Sequence, residues 1–346
     1  MRLVTVFELK EGDNLAQSLC DRDGRLMLQQ GVKLTDRLIE GIKKRGISQL
    51  YVQGSPESEP KEPKEPMVPP KPAASKRQLR IATEELLGSI FQAVQNDKPI
   101  PVASLMAWAK HATVSVMSDG EMAMHYGDFH AEPSCLSRHS VNVCFLAMLT
   151  AKALGYKELQ LRDVAIGSLL HDIGLVRPNG QGDLYIKHPV LGHERLRKIP
   201  EIPSASLKMV LQHHEQIDGR GFPYGIGGEE FEEAAQIVGI CSEFDYFVHD
   251  RLVHRQPGEE IEYVMAKVDS AFDHRIVRAF LKAYQPYPVG TAVRLTGGLK
   301  GTVCEQNRGH SYRPVVKLQQ FGTRLNLMEY TTFMIEEVLD VQSEVV

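Results

Sequence analysis

The chain has 346 residues, 42% of them hydrophobic and 24% charged, with 40 basic against 44 acidic side chains and a formal charge of −4. That length suits two or three domains with cores of ordinary size, and the charge balance supplies no global positive field for a nucleic-acid polymer. The most apolar stretch, Val141 to Ala153, is short and carries Asn142 and Lys152, so no membrane span is expected. The N-terminus, MRLVTVFELKEG, lacks the charged-then-apolar order of a secretion signal. The five cysteines are scattered and form no CxxC pair, which reads as reduced thiols in a cytoplasmic protein.

Residues 1–53 read as a small α+β unit. A polar, Gly-containing centre between Leu19 and Leu28 has the pattern of a hairpin. Thr35 is placed to cap a helix through Ile39 and Ile42 that stops at Gly46, and Ile47 to Val52 reads as a strand. Residues 54–77 hold seven prolines and two KEP repeats with almost nothing apolar, the composition of an extended spacer.

Residues 78–283 carry helical periodicity, and the fold class expected from the whole pattern is mainly α. Leu79 to Val94 is amphipathic. Ser134 to Leu154 reads as a long helix stopped by Gly155, and Glu158 to Ile173 as another stopped by Gly174. His188 precedes Pro189, a residue suited to the first helical position, and the helix it opens runs to Lys198. Ser204 is placed to cap a helix through Val210 to His214, and Phe231 to Val248 reads as one more. Residues 284–346 break into short alternating runs between prolines and glycines, a small β-rich extension. Trp108, the single tryptophan, is expected in the core.

Twelve of the 13 histidines fall between His111 and His274. His139 lies inside an apolar helix, His171-Asp172 closes the next, His188 opens a third, and His213-His214 ends a fourth. Glu215, Asp218, Gly219, Arg220, Gly221, Phe222 and Pro223 follow. Neutral imidazoles and a carboxylate gathered at helix ends are what Fe, Mn or Zn needs, and one aspartate can bridge two ions.

The order His139, His171-Asp172, His188-Pro189 and HHEQIDGRGFP (His213 to Pro223) resembles the HD-GYP phosphodiesterases of the HD hydrolase superfamily. The first 53 residues look like the small module often placed before such domains. The resemblance implies an HD-type helical bundle and hydrolysis of the bacterial second messenger cyclic di-GMP by metal-activated hydroxide. It implies a centre of two divalent ions, Fe or Mn, held by His139, His171, Asp172, His188, His213 and His214. Asp172 would bridge, and Asp172, Glu215 and Asp218 would be the catalytic residues, Glu215 and Asp218 by orienting the ligands. Arg251 and Arg255 would clamp substrate phosphate, as arginine suits bidentate pairing. A signalling protein and a second copy of the chain are the further partners implied.

Against the family pattern, Leu175 stands where a phosphate-contacting lysine is usual, Phe222 stands for tyrosine, and Cys135 for a third-metal glutamate. The segment Ile237 to Phe247 reads IVGICSEFDYF where the family reads close to IVAVADVYDAL, so Ser242 replaces a metal-binding aspartate. Asp245 and Glu243 are the neighbours that would have to compensate. These departures motivate an alternative, a degenerate domain that binds cyclic di-GMP or a protein partner without turnover.

Overall fold

Thr35 ends one loop of the chain and begins a helix: its Oγ1 accepts from Leu38 N at 3.4 Å, while its carbonyl accepts from Ile39 N at 2.9 Å. The structure, a computed structural model, describes residues 2–5, 9–20, 26–44, 49–53, 72–119, 122–130, 135–176, 185–249, 257–307, 309–320 and 322–339. The chain divides into two compact units, one built on residues 1–70 and the other on residues 71–132 and 136–346.

In the first unit the strands are β1 (Arg2–Thr5), β2 (Leu19–Cys20), β3 (Leu26–Leu28) and, after helix α1 (Asp36–Lys44), β4 (Gln49–Val52). β1 pairs antiparallel with β4, and β2 with β3. The apolar face of α1, through Ile39 and Ile42, closes on Leu15, Leu34, Leu50 and Val52. The Gly46 stop lies outside the described residues.

The second unit carries α2 (Pro72–Gln95), α3 (Val102–Ser118), α4 (Tyr126–His130), α5 (Leu136–Ala153) and α6 (Glu158–Leu169). It continues with α7 (His188–Leu196), α8 (Ser204–Gln212), α9 (Glu233–His249), α10 (Glu259–Met265) and α11 (His274–Ala283). α2 starts at Pro72, so the last six residues of the proline-rich stretch are helical rather than spacer. Proline suits a first helical position, and the AASKR run after it has no breaker. Lys76 fastens this start, donating to Ala123 O at 2.6 Å and to Asp128 Oδ2 at 2.8 Å. Ser204 is the first helical residue of α8 and makes no side-chain cap; Pro203 precedes it in extended backbone.

Every residue of α5 from His139 to Ala151 is buried. It runs through the middle of the bundle against α2, α3, α6, α9 and α11, which is why it is apolar all round rather than on one stripe. Each large apolar side chain it buries is worth about 1.5–3 kcal/mol. Trp108 packs in this core and donates to Thr83 Oγ1 at 2.8 Å.

The last part is a five-stranded antiparallel sheet in the order β8-β7-β6-β5-β9, from β5 (Ala292–Leu295), β6 (Leu299–Glu305), β7 (Val315–Leu318), β8 (Arg324–Asn326) and β9 (Ile335–Leu339). Val293, Leu295, Val303, Val316 and Ile335 alternate into its own small core. It meets the helices through Ser311, which donates to Tyr284 O at 3.1 Å, and Tyr287, whose ring stacks on Tyr126.

Candidate metal centre

α6 ends at Leu169, earlier than its apolar pattern suggests. The chain turns through Leu170–Asp172 into a short 3-10 turn, Ile173–Leu175. The turn lies so close to α7 that a Cβ on Gly174 would sit 2.0 Å from His188 O, so only glycine fits. That contact sets His171-Asp172 against the first residue of α7. The C-terminal end of α8 adds His213 and His214, and α5 adds His139. All six residues are buried, and their donor atoms form two sets sharing Asp172: His139, His171 and Asp172; and Asp172, His188, His213 and His214.

The protons show what the sets are built for. His171 Nδ1 lies 2.8 Å from Ser168 O, His188 Nδ1 2.5 Å from Tyr185 O, and His213 Nδ1 2.9 Å from Val210 O. A carbonyl only accepts, so each of these rings carries a proton on Nδ1 and turns Nε2 inward, where the neutral tautomer presents a lone pair. His139 does the same, with Nδ1 2.7 Å from Asp245 Oδ2. The bare nitrogens meet in pairs at 3.1 Å, His139 with His171 and His188 with His213. Asp172 Oδ1 lies 3.0 Å from His188 Nε2 and Oδ2 3.4 Å from His171 Nε2. Asp172 Oδ1 and His214 Nε2 are buried without a hydrogen-bond partner among the described residues. Lone pairs so arranged repel one another unless a cation stands between them. Burial holds His171 down to about 3 and holds His213 and His214 below the usual imidazole range, so these rings stay neutral and able to ligate.

Behind the ligands runs a chain of positioning contacts. Asp245 accepts from His139 and from Asn142 Nδ2 at 2.8 Å, and Asn142 Oδ1 accepts from Arg80 Nη2 at 2.6 Å. His249 Nδ1 lies 3.3 Å from Asp245 Oδ2, and its Nε2 lies 2.8 Å from Phe129 O. Burial works against ionisation of Asp245, but the hydrogen bonds from His139 and His249 outweigh it and hold the carboxyl well below the usual range.

Ser242 Oγ lies 3.3 Å from His139 Nε2, beside the three-residue set. Glu243 is turned away, bonded to Tyr263 OH at 3.0 Å and to Lys267 Nζ at 3.1 Å. Glu215 and Asp218 do not orient the ligands as expected. Glu215 accepts from Tyr224 N at 2.8 Å and Ile226 N at 3.1 Å, so both its oxygens hold the loop after His214. Asp218 accepts from Arg220 N at 3.0 Å at the edge of that loop. The loop folds back so tightly that a Cβ on Gly221 would come within 2.3 Å of Glu215 Cα. Arg251 and Arg255 lie outside the described residues.

Two tyrosines escaped the sequence reading. Tyr246 donates to Asp172 Oδ2 at 3.1 Å, and its ring lies over His139 with centroids 4.1 Å apart. Its signal was its place one helical turn after Ser242. Tyr185 is 49% exposed and faces the His188, His214 and Phe222 rings. It stands three residues before His188.

Residues 130–276 match the family model described as HD domain. Over 194 residues the chain is 33% identical to the cyclic di-GMP phosphodiesterase PA4108 of Pseudomonas aeruginosa, covering 52% of this chain and 47% of the relative. Over 197 residues it is 27% identical to the cyclic di-GMP phosphodiesterase PdeB of Borreliella burgdorferi, covering 51% and 50%. The chain thus spans about half the length of these curated relatives. Among solved structures, the HDG"Y"P protein Bd1817 of Bdellovibrio bacteriovorus superposes with a TM-score of 0.51 at 14% identity, over 81% of this chain and 97% of that one. The likeness shows the fold.

Proposed function

We propose, from the match of residues 130–276 to the HD domain model, that the chain is a metal-dependent phosphodiesterase acting on cyclic di-GMP. The observation that carries this reading is four inward-turned Nε2 atoms and a carboxylate oxygen without a hydrogen-bond partner among the described residues, buried together around Asp172. The donor set is nitrogen and oxygen without thiolate, which suits Fe or Mn. His139, His171 and Asp172 would hold one ion, and Asp172, His188, His213 and His214 the other. Divalent ions there would lower the pKa of a bound water and offset negative charge on a phosphodiester.

The chain's own residues do the rest. Nδ1 contacts lock the tautomers of His139, His171, His188 and His213, so no ring has to reorient. The exposed Tyr185 face beside His214 and Phe222 offers a stacking surface for a guanine base. Arg251 and Arg255 supply phosphate contacts, a role Leu175 cannot take. The reaction belongs to the cytoplasm, where a second messenger and reduced cysteines coexist.

The test is cyclic di-GMP turnover by protein purified anaerobically with Fe(II) or Mn(II) supplied, with products separated by chromatography. Linear dinucleotide or mononucleotide product bears the proposal out. Binding without product would instead mark a receptor, and neither binding nor product would end the reading.

A further inference from the structure

We propose that the two metal positions are unequal and that Tyr246 makes them so: its hydroxyl caps the His139–His171–Asp172 position, so an ion enters the His188–His213–His214 position first. The inference rests on the metal-centre reading above and names how that centre fills.

Asp172 gives one oxygen to each position. Oδ1 faces His188 Nε2 at 3.0 Å and His213 Nε2 at 3.5 Å, and Oδ2 faces His171 Nε2 at 3.4 Å and His139 Nε2 at 3.6 Å. Among the described residues Oδ2 receives a hydroxyl hydrogen bond, from Tyr246 OH at 3.1 Å, and Oδ1 receives none. That hydrogen bond occupies the side of the carboxylate an ion would use. Ser242 adds to the effect: its hydroxyl lies 3.3 Å from His139 Nε2, near enough to donate to that lone pair. An ion entering this set must displace two hydrogen bonds.

The other set is in the opposite state. Among the described residues Asp172 Oδ1 and His214 Nε2 are buried without a partner, so an ion there relieves two desolvated polar groups. It also offers four ligands against three, and affinity grows with ligand number. Hydrogen bonding, desolvation and ligand count all favour the same order. Tyr246 reaches its place because α9 turns residues 242 and 246 to one face. It is a positioning residue: its hydroxyl touches a ligand, not the reacting atoms.

The experiment titrates the metal-stripped full chain with Mn(II), counting bound ions by mass spectrometry and following the electron paramagnetic resonance spectrum. The parent should take one ion with the six-line signal of isolated Mn(II). The second should follow at free Mn(II) on the order of tenfold higher or more, with a spin-coupled signal. Tyr246→Phe keeps the ring over His139 and deletes the hydroxyl, so no hydrogen bond is displaced, and should tighten the second step about tenfold while leaving the first alone. His214→Ala should instead weaken the first step. If circular dichroism shows that Tyr246→Phe perturbs the fold, Tyr246→Leu tests the same hydroxyl. Two ions entering the parent at equal affinity would overturn the inference, as would a second step unmoved by loss of the hydroxyl. A parent that takes no Mn(II) would remove the metal-centre reading itself.

Discussion

Asp245 Oδ2 and His139 Nδ1 lie 2.7 Å apart, both buried in the middle of the bundle. The contact makes Asp245 the partner of a proposed ligand, His139, rather than a ligand itself. Asp245→Asn should therefore lower Mn(II) affinity on the order of 10–100-fold, the usual cost of losing a carboxylate behind a metal-bound histidine. Glu243→Gln, whose parent side chain faces Tyr263 and Lys267, should leave affinity unchanged. Equilibrium dialysis of the two variants separates these roles.

Ser242→Asp places a carboxylate beside His139 Nε2 and should raise the number of ions retained after gel filtration, because it adds a charged ligand to the poorer set. Leu175→Lys should act elsewhere. It adds a point charge for phosphate, so KM for cyclic di-GMP should fall while metal content stays constant.

Gly221→Ala should destabilise the protein by about 1–3 kcal/mol, because the new methyl meets backbone that cannot yield. Glu215 Cα lies 2.3 Å and His214 O 2.4 Å from the Cβ position. Gly88→Ala, in the exposed part of α2 with nothing within 4 Å, should stabilise by about 0.5–1 kcal/mol. Urea midpoints for the pair check both signs.

The Lys76–Asp128 pair should contribute to acid sensitivity. Burial raises the Asp128 pKa, but the Lys76 charge and the hydrogen bonds from Lys76 and His125 N outweigh it and leave it depressed. A depressed carboxyl contributes stability that is present above its unfolded value of about 3.9 and is lost as pH falls through the folded value. Asp128→Asn should lower stability near neutrality by on the order of 1 kcal/mol and flatten the loss below pH 4. Denaturant midpoints between pH 3 and 7 measure this.

Deleting residues 1–71 should leave the helical unit folding cooperatively, since α2 begins at Pro72 and the unit has its own core. Deleting 1–77 removes Lys76 and its bonds to Ala123 O and Asp128, and should unfold at lower urea. Equal midpoints would show that the first turns of α2 hold nothing in place.

Local physics made the clustered histidines and Asp172 legible in the sequence. His188 before Pro189, His171-Asp172 at a helix end and the glycine-rich run after His214 each mark a helix terminus, where side chains converge without any tertiary knowledge. The alternating runs after Tyr284 announced a sheet in the same way. What needed the tertiary structure was every relation between elements. Helical spacing put Asp245 near Ser242 but could not say that one turn of α9 would face His139 while Glu243 turned toward α10. Composition hid the helix starting at Pro72, because six residues are too few to outweigh the prolines before them. Glu215 looked like a catalytic carboxylate until a loop closed on both its oxygens. Tyr246 carried no motif at all; its part at Asp172 exists only because α9 packs across the turn after α6, a contact between residues 74 positions apart.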